Sequence, residues 1–186
     1  MRLVFSPAAE AGRSRVVVHR RDGVTLEMRS YDRKFRVPHD LAHAVAEREL
    51  QLSAGVFGCI AAGAVFSSMR VLTGSPRHDA TARSARILKA GARSITLAEV
   101  LTGVLHDAVE ASPNSPRSPA VPLVNKAREA WGSVEERPFP YSEATLAAAA
   151  DTLTALADCW SGLTPGEELV FTWPPGLTAP VPATRH

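Results

Sequence analysis

The chain has 186 residues, 45% of them hydrophobic and 22% charged, which suits a single packed core and excludes a generally disordered segment. A net charge of +2 conceals a split: residues 1–93 carry 16 Lys/Arg against 8 Asp/Glu, and residues 94–186 carry 5 against 11. Mutual attraction of the halves inside one fold accounts for the split, with an anion-binding face as the other reading. Cys59 and Cys159 belong to no C-x-x-C pair, which excludes zinc-finger and thioredoxin spacing and points to buried free thiols in a reducing cytoplasm.

The start of the chain, Met1 to Pro7, turns polar too soon for a secretory signal, so the expected location is cytoplasmic. Leu3 to Phe5 reads as an edge strand. Arg15 to His19 and Val24 to Arg29 read as two more, joined at Asp22-Gly23, a two-residue type I′ turn signal. Pro38 introduces a helix that begins at His39. Leu50 to Met69 is uncharged over 20 residues, but three glycines, four alanines and three serines make it a buried helical segment rather than a membrane span. A second helix is predicted over 76–90, with Ser75 as cap, Pro76 in the first turn and Gly91 as stop. A third runs over 97–110 behind the capping box Thr96-Leu97-Ala98-Glu99, with Ile95 and Val100 as a hydrophobic staple. Four prolines make Ser112 to Pro122 a surface loop. A short helix follows near Leu123 to Trp131. Ser142 then caps a long one ending at Gly162, with Leu146, Leu153, Leu156 and Trp160 as its buried stripe. Glu168 to Trp173 reads as a strand that joins the same sheet. The expected fold is therefore α+β, a small antiparallel sheet on a mainly helical bundle. Residues 1–173 form one domain and 174–186 a loose proline-rich tail.

The chemistry concentrates on the His39 helix. At 100° per residue, His39, His43, Ala46, Glu47 and Leu50 share one side, and Leu41, Val45 and Leu52 the other, as in a central helix. Histidines four apart project in parallel, which lets two imidazoles chelate one metal ion. His43 has Asp40 three residues before it and Glu47 four after it, and each can orient the imidazole or serve as a general base. The alternative is architectural: histidines that bond these carboxylates and hold the helix in place. On the third helix, Glu99, Gly103, His106 and Glu110 share a face. That face is either solvated or the wall of a site opposite the first helix. If it is a wall, Glu99, His106 or Glu110 completes the metal sphere. The expected metal set is His39, His43 and His106, with Asp40 and Glu47 as catalytic groups. The expected cofactor is divalent zinc, manganese or iron, and no nucleotide-cofactor motif is present. The expected activity is hydrolase-like, on a small-molecule or peptide substrate that the sequence does not name, the alternative being a non-enzymatic structural or interaction protein.

His39-Asp40-Leu41-x-His43, Glu47, Leu50, Phe57-Gly58 and Gly63 resemble a set of small bacterial proteins sharing an H-D-L-x-H-x-x-x-E helix. The likeness runs from about Val37 to Gly63, and it implies that the helix matters without assigning a reaction. A second stretch, Arg77-His78, Ala85-Arg86-Ile87-Leu88 and Val104-Leu105-His106-Asp107-x-x-Glu110, resembles the metal-binding half of HD-type phosphohydrolases, most of all the nucleotide hydrolases of the stringent response. That resemblance implies His78, His106 and Asp107 as ligands, Glu110 as an assisting acid, and Asp151 or Asp158 as the distal ligand. Ala111 stands where that family has a second acid. Arg83, Arg86, Lys89 and Arg93 share a basic face, and Arg33-Lys34-x-Arg36 precedes the His39 helix, which suits anion binding. With two tyrosines and no nucleic-acid fold motif, nucleic acid is not the expected partner.

Overall fold

The computed structural model describes residues 1–8, 13–31, 35–74, 78–111 and 121–183. Among them, five strands form one antiparallel sheet in the order β4-β3-β2-β1-β5: β1 (Arg2–Pro7), β2 (Arg13–His19), β3 (Thr25–Tyr31), β4 (Arg70–Thr73) and β5 (Leu169–Thr172). Five helices cover one face: α1 (His39–Glu49), α2 (Val56–Ala62), α3 (Ala80–Glu110), α4 (Leu123–Gly132) and α5 (Glu143–Ser161). The expected α+β class is what the chain adopts. Ser75, Pro76 and Arg77, the loop residues 112–120, the cations Arg33 and Lys34, and tail residues 184–186 lie outside the described residues.

Strand alternation decides which face is dry. Leu3, Phe5, Val16, Val18, Leu26 and Phe171 point toward the helices and are buried. The register stacks them as Leu3–Val18–Leu26 and Phe5–Val16–Met28, with Phe171 opposite Leu3. Leu3 to Phe5 is not an edge strand, because β1 pairs with β2 on one side and β5 on the other. Three consecutive apolar residues suit that doubly paired place. The β2–β3 connection also departs from the expected two-residue turn. Gly23 N donates to Arg20 O and Arg20 N to Val24 O, so three residues span the gap, with φ positive at Gly23 and not at Asp22. This is the three-residue hairpin loop, in which only the last position needs a left-handed backbone.

The run from Leu50 to Met69 is broken rather than helical throughout. It holds the α1 terminus, a loop, the seven residues of α2 and the approach to β4, a strand absent from the expectations. No helix among the described residues is long and apolar enough to cross a membrane. The two helices expected over 76–90 and 97–110 are one, the 31-residue α3. Gly91 does not stop it. A Cβ there would stand 3.0 Å from the Cys59 sulfur, so the glycine lets α2 lie close against α3. Thr96, expected as a cap, donates its hydroxyl to Ala92 O, a bond that fits the helix interior. Ser142 does cap α5, accepting from Thr145 N at 3.1 Å.

Helix α1 is central. Every residue from Leu41 to Glu47 is buried, and its neighbours are α2, α3 and α5. Near its C-terminus the Arg48 guanidinium lies 4.2 Å over the Phe171 ring, which ties α1 to the sheet. The segment after Trp173 is not loose as far as it is described. Trp173 Nε1 donates to Leu177 O, Ala179 N donates to Gly58 O, and Leu177 and Ala179 are buried. Their apolar side chains cover α2 and the Trp173 indole, which the tail's proline content did not reveal. Cys59 is buried as expected, whereas Cys159 is exposed on the outer side of α5.

Candidate metal centre

Antiparallel packing of α1 on α3 sets the polar face of α3 against the histidines of α1. His43 Nε2 lies 3.1 Å from Glu99 Oε2, and His39 Nε2 lies 3.6 Å from the same oxygen. The ligand atoms of His39, His43 and Glu99 all fall within 4.8 Å of one another. Three donors about 2.0–2.1 Å from a tetrahedral ion stand about 3.4 Å apart, and the two His–Glu separations bracket that value. Two imidazoles and a carboxylate suit zinc, iron or manganese. The group is open on one side: the side chain of His43 is 4% exposed, that of His39 41% and that of Glu99 49%. Gly103, one turn beyond Glu99, faces space with no atom within 4 Å of where a Cβ would sit.

Glu47 stands behind His43. Its carboxylate is fully buried and accepts from Val56 N (2.8 Å), Phe57 N (3.0 Å) and Gly58 N (3.4 Å), the first turn of α2. It also lies 3.4 Å from His43 Nδ1, as does the Thr102 hydroxyl. A Cβ at Gly55 would land on this carboxylate, so the glycine makes the seat that Glu47 occupies. The α1–α2 loop thus fixes Glu47, Glu47 fixes the His43 ring, and Nε2 is left facing Glu99. Carboxylate–histidine pairs of this kind set the tautomer and basicity of a metal-binding imidazole. Of the two roles open to Glu47, its burial and three N–H partners match orientation.

The flanking charges move the titrations. Burial works against a charged His43, but Glu47 and Glu99 outweigh it and push its pKa up to about 9. Burial pushes the Glu47 carboxyl up, against the pull of His43 and the backbone N–H groups. His39 and His43 hold Glu99 well below the usual carboxylate range.

His106 stands beside the group but outside it. It is buried, with Nε2 3.0 Å from Val37 O and 3.5 Å from Glu110 Oε1. Its ring lies between Phe35 (centroids 4.7 Å apart) and His39 (5.7 Å). Glu110 accepts from Arg36 N and Val37 N, closing the entry to α1. Asp40 lies on the first turn of α1 and is partly buried. His78 precedes α3 and His106 sits 28 residues further on, about 40 Å along that helix, so the two do not meet at one ion. Asp107 is exposed, as are Asp151 and Asp158 on α5, and Asp158 pairs with Arg36 at 2.6 Å. Thr102 and Phe35 were missed by the sequence reading. Thr102 falls three residues after Glu99 and four before His106, a spacing that places it on the same face. Phe35 carries no such signal.

No protein-family model, curated protein or solved structure matches the chain.

Proposed function

We propose that this chain binds a divalent transition-metal ion through His39, His43 and Glu99 and uses it in hydrolysis of a small-molecule or peptide substrate. The observation that carries the reading is the convergence of three ligand atoms within 4.8 Å on an open face, with Glu47 buried behind His43. A structural histidine needs a partner, but it does not need a second histidine and a half-exposed carboxylate at ligand spacing. A bound ion with an open position lowers the pKa of a coordinated water and supplies the nucleophile. Were an ion held there, Asp40, the residue after His39 on α1, would be the acid to take a proton from a bound water, and Glu47 would orient His43.

The test is metal content of the untagged protein, followed by titration with zinc, manganese and iron(II). One equivalent per chain is expected. Glu99→Gln, at a half-exposed position, should weaken binding at least about tenfold, with circular dichroism confirming that the variant is folded. Hydrolysis of ester, peptide and phosphoester panels should require the ion and vanish in Asp40→Asn. Failure of all three metals to bind removes the metal reading. Stoichiometric binding without hydrolysis on any panel removes the hydrolase reading and leaves the metal.

A further inference from the structure

The outer face of the sheet carries a charge arrangement that neither the metal group nor the core explains. Glu27, in the middle of β3, points away from the helices yet is only 4% exposed, because three arginines cover it. Arg15 Nε is 2.6 Å from Oε1, Arg70 NH2 is 2.7 Å from Oε2, and Arg29 Nε is 3.4 Å from Oε2. Burial pushes the Glu27 carboxyl up, but the arginines outweigh it and hold it below its ordinary range. Arg15 and Arg29 are direct cross-strand partners, a like-charge pairing that destabilises a sheet unless something offsets it. Ser6 continues the same row on β1, and Arg70 flanks Glu27 on β4.

One carboxylate is satisfied by one bidentate guanidinium. Here three guanidiniums converge on it, which leaves a local excess of two positive charges. Among the described residues, Glu27 is the acid with which each of the three pairs. Their side chains are 46%, 71% and 64% exposed, and one nitrogen of each five-donor guanidinium is engaged with Glu27. Glu27 thereby acts as a fixed hub, holding planar donors in place before any ligand arrives. Pre-gathered guanidiniums with a net charge of two match a dianion with several acceptor oxygens.

We propose that Arg15, Arg29 and Arg70, gathered round Glu27 on the outer face of the sheet, bind the phosphate group of a small phosphorylated ligand. The site is separate from the His39–His43–Glu99 group and stands whether or not that group holds a metal. The basic helix face of Arg83, Arg86, Lys89 and Arg93 is a different surface. The sheet arginines sit at positions 15, 29 and 70, and only strand pairing brings them together.

The probe is inorganic phosphate, followed by calorimetry and thermal melting of the full chain in chloride buffer. Saturable binding at one site, with Kd of about 1 mM or tighter, is expected. Arg29→Ala and Arg70→Ala should each weaken it about tenfold or more, since each removes a charge-assisted contact from an exposed position. Arg128→Ala, an exposed arginine on α4, should leave it unchanged. Glu27→Gln should lower the melting temperature without ligand, and phosphate should raise it more than in the wild type, because the dianion replaces the lost carboxylate. Absence of saturable binding, or equal weakening by Arg128→Ala, overturns the proposal. So does binding to anionic vesicles or a single-stranded oligonucleotide without binding to phosphate, which would assign the face to a macromolecule.

Discussion

Glu47→Gln tests the link between the fold and the candidate metal centre. The substitution keeps the volume and removes the charge. The amide nitrogen then faces backbone N–H groups of Val56, Phe57 and Gly58, donor against donor, and His43 loses the carboxylate 3.4 Å from Nδ1. Each buried N–H left unpaired costs about 1–3 kcal/mol. One or two orphaned donors and a weakened His43 contact amount to about 3 kcal/mol. For a domain of this size that lowers the melting temperature by about 6–12 °C. Metal affinity should fall about 10–100-fold, as it does when the partner behind a ligating histidine is lost. Calorimetric melting and zinc titration of the same preparations read both effects. Gly55→Ala should reproduce the loss of stability with every charge in place, because its methyl group lands on the Glu47 carboxylate. An unchanged melting point in Glu47→Gln would refute the idea that Glu47 ties α1 to α2. Lower stability with wild-type metal affinity would refute its orienting role.

In the metal-free protein, His43 has its folded pKa raised from 6.5 to about 9, so the folded state holds its proton more tightly. That contribution, at most about 3 kcal/mol, is full below about pH 6.5 and fades as pH climbs toward 9. Glu99, with its pKa lowered, contributes above its unfolded value and loses that contribution on acidification, whereas Glu47, with its pKa raised, counts against the fold above its own unfolded value, so the expectation is that melting under chelator falls as pH climbs above about 6.5. Bound metal reverses the upper limb, because protons compete for the imidazoles, and a chelator-insensitive profile identical in His43→Gln would contradict both roles. Ser142→Ala removes the cap of α5 and should cost about 1 kcal/mol, read as a shift of about 2–4 °C in melting temperature. Truncation after Trp173 uncovers Leu177, Ala179 and the indole N–H bond, so it should lower the urea midpoint; an unchanged midpoint would show that the tail adds nothing.

Local patterns in the chain carried the elements whose rules are local. The alternation in β3, the serine before α5 and the proline before α1 all stand where the structure uses them. Three misreadings share a cause, a residue whose local signal is overridden by a distant partner. Gly91 carries a stop signal, yet Cys59 on α2 needs the space it leaves. Thr96 to Glu99 spells a capping box, yet Glu99 is drawn to histidines 60 and 56 residues earlier in the chain. Leu3 to Phe5 reads as an edge strand until β5, from the far end of the chain, supplies its second partner.

The candidate site was half legible for the same reason. Helical spacing puts His39 and His43 on one side of α1 and Glu99 and His106 on one side of α3, but it cannot give the offset between two helices. That offset brings Glu99 rather than His106 to the imidazoles: Glu99 meets them, while His106 is carried on to Val37 O. The charge split between the halves resolves in the same geometric way. Arg36 with Asp158, Arg93 with Glu135, and both α1 histidines with Glu99 join the basic half to the acidic half. Arg15, Arg29 and Arg70 do not take part. They gather on Glu27 of their own half, on the face turned away from the helices, where the acidic residues of α5 cannot reach. Attraction between halves therefore explains the site side of the molecule and leaves the sheet face with an excess of positive charge, which an external anion can neutralise.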